Sequence, residues 1–375
     1  MLKSINYITN LGVNEFSGGW SGMNHHIYLQ LKKQFRINLV ENINPAYHLT
    51  DKYISKFCRS IGLKGKFAAF TAKRLSRIKN ETEIKLDKEA VLNFYHGATP
   101  WLHVTNDLPY ALYLDACFAT YIKVYHNQSD FSNSQLNTLF KKETDFLNNA
   151  QAVFFSSAWA MDDAKKAYGL TGSNFFVAGL GGGFDLPYAG YKNDTPYFLF
   201  MATDFFGKGG DKVVNTFLAF SKSNPGYKLV IAGQQPPGEF LKHDGIEYAG
   251  FLNKANPAEY KQLVALFSNA YCFLLPTSRD MTPLVLLEAG SAGCPVISTN
   301  VYGISEIVKH KETGLLIDAG PRLEKDLINS ILQLCNDISV RNRMGAAAWQ
   351  HVNNNFSWDK VGDFIVNKLS PSQTN

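Results

Sequence analysis

Cysteine is scarce in this chain, and the little there is forms no pattern. Cys58, Cys117, Cys272, Cys294 and Cys335 are odd in number and include no Cys-x-x-Cys pair. That argues against a disulfide framework or a zinc site and for reduced thiols in a cytoplasmic compartment. Long apolar runs are missing as well, since none approaches the roughly 20 residues of a membrane span. The opening MLKSINYITN enters a strand-like run without the apolar core of a signal peptide. There is no HExxH, no Ser-centred nucleophile elbow and no P-loop. Internal repeats and long low-complexity tracts are also absent.

What is present is enough for two core-forming domains, because 375 residues exceed the usual size of one. The 45% hydrophobic and 18% charged composition is that of a globular protein rather than a disordered one. A net charge of +5 is modest but unevenly spread. From Lys52 to Lys79 there are nine Lys or Arg residues and no Asp or Glu, interleaved with Phe57, Ile61, Leu63, Phe67, Phe70 and Leu75. A basic, apolar-studded segment of this kind suits an anionic membrane surface, and equally a wetted helical face packed on its other side. No nucleic-acid motif accompanies the charge, so nucleic acid is not an expected partner.

Strand-like runs occur near residues 4–9, 36–40, 90–95, 110–114, 152–156 and 174–178, with helical patterns between several of them. Met23, Ile27 and Leu31 recur at helical spacing after a glycine loop. A second series restarts at Tyr197–Met201 and continues through Lys228–Ala232, Ile246–Tyr248, Tyr271–Leu275 and Val296–Ser298. Strands alternating with helices predict parallel, doubly wound sheets, one in each half. The stretch from Gly181 to Asn193, rich in Gly, Pro and Asp, serves as a hinge. The expected domains are residues 1–185 and 186–355, with ligands bound beyond the carboxyl ends of the strands. Gly179 to Gly183 looks like a dinucleotide loop, but no helix pattern follows it, so that fingerprint lacks its context.

The most telling stretch is Leu274 to Glu306, LLPTSRDMTPLVLLEAGSAGCPVISTNVYGISE. An apolar run ends at Pro276, and a helix is expected with Thr282 as N-cap and Pro283 as its first residue. Two carboxylates, Asp280 and Glu288, stand eight residues apart across that helix start. Free backbone N–H groups and partial positive charge at such a terminus favour an anion, while carboxylates beside it accept hydrogen bonds from hydroxyls. This stretch resembles the donor-site signature of the GT4 family, retaining glycosyltransferases of the GT-B fold. There a Glu, seven residues and a second Glu precede Gly-x-Pro-Val and a Gly-Gly-Ile-Pro-Glu-like segment. Here Asp replaces the first Glu, and the later segment reads Tyr302-Gly303-Ile304-Ser305-Glu306.

The resemblance implies a GT-B architecture, two Rossmann-like doubly wound domains facing across a deep cleft. The first domain would take the acceptor and the second the nucleotide diphosphate sugar. A last helix over 356–370 would cross back onto the first domain. It implies that Asp280 binds hydroxyls of the transferred sugar, that Glu288 binds the ribose, and that N–H groups of Met281, Thr282 and Leu284 lie near sugar and phosphates, beside Pro283. Lys208, in Lys208-Gly209-Gly210 after a strand, would neutralise the pyrophosphate as charge grows on the leaving group. Where many members place an Arg in that loop, this chain has Ala202-Thr203 and Gly207, leaving Thr203 as a donor contact and Arg279 as a substitute cation. The glycine loop with Gly18 and Gly19 would face donor phosphates.

Asp115 stands where many members carry a His near the sugar, and it is either a sugar or acceptor contact or a cap for the next segment. His96, ending another strand, is a further cleft candidate. No cofactor and no metal are implied, since Asp162-Asp163 lies in a helical stretch rather than an Asp-x-Asp loop. The expected partners are a nucleotide sugar and a glycan or glycolipid acceptor. The expected activity is a metal-independent retaining hexosyl transfer in surface glycan biosynthesis, in the cytoplasm or on the inner membrane face. A sugar-nucleotide epimerase of the same architecture and a catalytically weak nucleotide-sugar-binding protein are the competing readings.

Overall fold

Runs such as Phe198-Leu-Phe and Cys272–Leu275 can be buried on both sides only if helices cover both faces of their sheet. The computed structural model, which describes residues 2–14, 22–47 and 49–369, has this layering in each of two units. The first unit runs to Leu180 and takes in the chain again from Trp358. It opens with β1 (Ser4–Ile8), α1 (Met23–Lys32), β2 (Arg36–Val40), α2 (Leu49–Ser60), α3 (Ala72–Lys85) and β3 (Asn93–His96). Then come β4 (Tyr110–Leu114), α4 (Phe118–Tyr125), α5 (Asn133–Asn148), β5 (Ala152–Phe155), α6 (Ala158–Tyr168) and β6 (Phe175–Val177). The strands lie in the order β2-β1-β3-β4-β5-β6, every neighbouring pair parallel.

The second unit covers Gly181–Ser357. It contains β7 (Tyr197–Ala202), α7 (Gly210–Ser221), β8 (Lys228–Gly233), β9 (Ile246–Tyr248), α8 (Pro257–Ser268) and β10 (Cys272–Leu275). It continues with α9 (Leu284–Ser291), β11 (Val296–Thr299), α10 (Ile304–Ile307), β12 (Gly314–Ile317), α11 (Leu323–Asn336) and α12 (Ile338–Asn355). The order β12-β11-β10-β7-β8-β9 is again fully parallel. It is the dinucleotide-fold order, with the reversal between β7 and β10. The sequence pattern had announced every strand here except β12, a four-residue Gly-Leu-Leu-Ile too short for a period to register.

Helix α13 (Trp358–Leu369) belongs to the first unit. Trp358 stacks on His26 of α1, Lys33 pairs with Asp359 at 2.6 Å, and Phe364 meets Phe154 and Phe176 edge-on. The basic segment divides. Phe67, Leu75 and Ile78 are buried, and Arg74 is turned inward onto the carbonyls of Pro45 and Ala69 and the amide of Asn44. Phe57, Ile61 and Leu63 are exposed. The glycine loop with Gly18 and Gly19 lies outside the described residues, and Gly22, at φ 87°, caps α1.

One buried carboxylate ties the loops at the carboxyl ends of β3 and β4. Glu143 accepts from the Thr99 hydroxyl at 2.7 Å, from the Phe118 N–H at 2.7 Å and from the Tyr168 hydroxyl at 2.6 Å. Tyr168 in turn receives the Ala119 N–H. Burial raises the Glu143 carboxyl, and these three donors pull against it. Glu143→Leu strands all three donors, so it is expected to cost about 3 kcal/mol of stability, measured as a lower urea midpoint without a change in slope.

Candidate donor site

The residues expected to hold the donor leave the carboxyl ends of β7 and β10, the two strands between which the order reverses. In doubly wound sheets, ligands bind beyond the carboxyl ends of the strands at such a point. After β7 the chain turns tightly: Asp204 accepts the Gly207 N–H at 3.0 Å, and Lys208 N–H reaches the Asp204 carbonyl. Gly209 then adopts φ 84° and begins α7. A Cβ at Gly209 would sit 2.5 Å from the carbonyl oxygen of Pro276, so only glycine lets the two loops touch backbone to backbone.

That contact brings Lys208 to Asp280. The ammonium lies 2.6 Å from Asp280 Oδ2 and donates to the Arg279 carbonyl at 2.6 Å. The two side chains are 18% and 21% exposed, sheltered enough for their charges to act strongly on each other and open enough for a ligand to reach them. Burial lifts the Asp280 carboxyl above its ordinary range, and the Lys208 charge and hydrogen bond oppose that lift.

The acidic loop is braced from the neighbouring strand. Ser298 donates to the Leu275 carbonyl at 2.7 Å and Thr299 to the Thr277 carbonyl. Tyr302, at φ 54°, donates to the Ser278 carbonyl, and the Gly303 N–H reaches the Met281 carbonyl at 2.9 Å. The Tyr302-Gly303 part of the motif thus supports the loop that presents Asp280. Arg279 is exposed, and its charge lies near the Tyr302 phenol, which burial raises and Arg279 lowers.

Helix α9 starts one residue later than its sequence suggests. Pro283, with ψ 110°, is still extended and occupies the N-cap, so Thr282 precedes the cap and Leu284 is the first helical residue. Met281, Thr282 and Leu284 are buried, as is Pro283, whereas Thr203 is exposed just past β7. Glu288 sits one turn into α9, 7% exposed, and is ion-paired to Lys254 from the loop between β9 and α8. Its own carbonyl accepts the Ser291 hydroxyl, which also receives the Phe184 N–H. Lys254 was not foreseen, for a lone loop lysine three residues before the start of α8 carries no periodic or motif signal. Each expected donor-site acid is therefore matched by one lysine.

Asp115 and His96 lie in the first unit, Asp115 one residue past β4 and His96 at the end of β3. His96 is fully buried and stacked on Tyr113, and burial lowers its imidazole to about 3, so it stays neutral at physiological pH. Asp115 is half-buried, and its charge adds to the burial that raises the Tyr113 phenol. Among the described residues, no group of three or more His, Cys, Asp or Glu side chains is arranged so that it could hold a metal ion.

Two parallel α/β units of this kind make the GT-B fold. Residues 189–351 match the family model described as glycosyl transferases group 1. Glycogen synthase of Mycobacterium tuberculosis (strain ATCC 25618 / H37Rv) is 27% identical over 168 residues, 44% of this chain and 39% of that one. Sucrose-phosphate synthase from Thermosynechococcus elongatus has a similar fold, with a TM-score of 0.73 at 16% identity over 97% of this chain and 98% of that one. Anabaena HepE, solved in complex with UDP-glucose, gives 0.66 at 13% identity over 98% and 99%. Over its second unit the chain is similar to the GT4-type glycosyltransferases that its motifs resemble. The chain spans less than half the length of the curated relatives it matches, as the 39% for glycogen synthase illustrates.

Removing the lysine has a definite sign. In Lys208→Gln the opposing charge is gone, so Asp280 titrates at higher pH than in the wild type. A carboxyl whose folded pKa exceeds its unfolded value holds more protons when folded, so stability falls as pH rises through that interval. Urea midpoints of the variant are expected to drop more steeply than those of the wild type as pH rises above the ordinary carboxylate range; parallel profiles would show that Lys208 does not govern Asp280.

Proposed function

We propose that the protein is a retaining glycosyltransferase that moves a hexose from a nucleotide diphosphate sugar to an acceptor hydroxyl without a metal ion. The acceptor is a glycan or glycolipid, and the reaction runs in the cytoplasm or on the inner membrane face as part of surface glycan biosynthesis. The observation that carries this reading is the Lys208–Asp280 pair at the switch point of the second sheet. HepE, with a similar fold, has been solved with UDP-glucose, which supports a nucleotide sugar as ligand.

In this reading the donor diphosphate takes Lys208 from Asp280, and the released carboxylate accepts hydroxyls of the sugar. Glu288, oriented by Lys254, accepts the ribose hydroxyls. Backbone N–H groups around Met281, Thr282 and Leu284 lie at the diphosphate, with Thr203 on the β7 side. The bond between the anomeric carbon and the phosphate oxygen breaks with its electron pair going to the diphosphate, where Lys208 stabilises the growing charge. The acceptor oxygen then bonds to the oxocarbenium-like carbon on the same face, and its proton passes to the departing phosphate oxygen. Asp115 is assigned to the acceptor hydroxyl, and the glycine loop with Gly18 and Gly19 is assigned to the phosphates. No side chain becomes covalently attached to the sugar.

The test separates the roles of Lys208 and Glu288 by ligand. Calorimetry with UDP-, GDP- and ADP-sugars identifies the donor. Lys208→Ala is then expected to weaken that nucleotide sugar by about 2 kcal/mol, roughly thirty-fold, through loss of a charge-assisted contact. The parent nucleoside, which has no phosphate, binds the variant as it binds the wild type. Glu288→Gln has the converse pattern, weakening the nucleoside but not its 2′,3′-dideoxy form. Conversion of the donor to its epimer in the absence of acceptor would indicate an epimerase instead. Donor binding with neither transfer nor slow hydrolysis would indicate a binding protein.

A further inference from the structure

We infer that the outer face of α2, with the turn that follows it, docks onto an anionic lipid bilayer. This goes beyond the proposed transfer reaction and uses none of its donor-site residues.

The observation is that α2 is packed the wrong way round for a core helix. Its contact with the rest of the unit runs through a small residue: Ser55, buried, donates to the Lys66 carbonyl at 2.6 Å. A Cβ at Gly65 would meet Ser55 Oγ at 2.3 Å, so helix and following strand segment are as close there as glycine permits. Gly65 is in turn fixed to Asp130 and Ser132 by backbone hydrogen bonds. The large apolar side chains lie elsewhere. Tyr53, Ile54, Phe57 and Ile61 follow one another at i, i+1, i+4 and i+8, which puts them on a single side of a helix. All four are exposed, Phe57 at 63%. Gly62, at φ 76°, then ends the helix, and the Leu63 N–H returns to the Cys58 carbonyl at 2.8 Å. This closure of the C-terminus adds exposed Leu63 to the same end.

Charge selects the occupant. No Asp or Glu occurs from Lys52 to Lys79, and Lys56 on α2 is exposed, as are Lys64, Lys66 and Lys73 in the chain that follows it. Arg74 and Lys79 do not contribute to this surface, being engaged by backbone carbonyls and by Glu83 respectively. A second copy of the chain, packed on this face about a two-fold axis, would bring lysines against lysines. A bilayer carrying acidic phospholipids instead offers phosphates to the lysines and an apolar interior to Phe57, Ile54 and Ile61. At twelve residues α2 is about 18 Å long, too short to cross the hydrocarbon core. It would lie flat in the interface.

Flotation of the full chain with phosphatidylcholine vesicles, with and without phosphatidylglycerol and with no nucleotide sugar present, tests this independently of the donor site. The wild type is expected to float only with the phosphatidylglycerol vesicles. The double variant Ile54→Ser, Phe57→Ser is expected to lose at least about ten-fold in partition, as burial of those two side chains is lost. Lys56→Glu, Lys66→Glu is expected to lose at least about as much, roughly five-fold per lysine removed. These side chains are exposed, so both variants keep the wild-type circular dichroism and nucleotide-sugar affinity. Absence of binding to either vesicle, equal binding to both, or wild-type partition by the variants would overturn the inference. So would a dimer in ultracentrifugation that the Ile54 and Phe57 substitutions dissociate, because the face would then be a contact between copies.

Discussion

A carboxylate placed where water is scarce needs a counter-charge, and the second unit is arranged around meeting that need at Asp280. The counter-charge comes from Lys208, on the loop of the adjacent strand across the reversal of strand order. For the lysine to reach, the two loops must approach at backbone distance, which fixes glycine at position 209. For the acid to stay in place, the loop from Thr277 to Met281 must be held from behind, which Thr299, Tyr302 and Gly303 do. Glu288 repeats the arrangement one helix turn away with Lys254. Each of the two acids is therefore charge-balanced, and burial raises Asp280 in spite of its partner.

Much of this was legible in the residues. Eleven of the twelve strands coincide with apolar runs that the sequence separates cleanly, because parallel strands buried on both faces are nearly continuous hydrophobic segments. The acid pair, Lys208 and the Tyr302-Gly303 segment were found by the motif they form. What escaped was tertiary. Lys254 meets Glu288 from 34 positions away, and nothing local distinguishes it from the surface lysines around it. Glu143 reads as an ordinary helix glutamate, yet it is fully buried and joins two loops that are distant in sequence. The start of α9 slipped by one residue because Thr282-Pro283 fits a cap and first-turn pair equally well in the alternative register. For the basic segment, composition gave the correct ingredients but could not assign them. Only the fold separates Arg74 and Phe67, turned inward, from Phe57 and Lys56, turned out.

The two units solve the same layering problem with different strand orders, and each keeps its candidate chemistry at the strands flanking its reversal. In the first unit those strands are β1 and β3. The glycine loop follows β1, and His96 ends β3 as a neutral, stacked ring rather than a proton donor. Asp115 follows the next strand, on a loop whose continuation is secured by Glu143. The sheet thus sets the loops, and buried polar groups such as Glu143 and Asn6, which bonds Asn93 across the sheet at 2.8 Å, set the sheet.

The pairing of Lys208 with Asp280 also bears on how the site empties. In the proposed transfer, a spent nucleoside diphosphate would still attract the ammonium but would no longer bring a hexose to the carboxylate. Asp280 would then be a sheltered anion lying 2.6 Å from the position that the Lys208 ammonium takes here. Recapture of that lysine would compete with the by-product's phosphates and hasten its departure. The same internal contact that loading would surrender would thereby act as a spring for unloading.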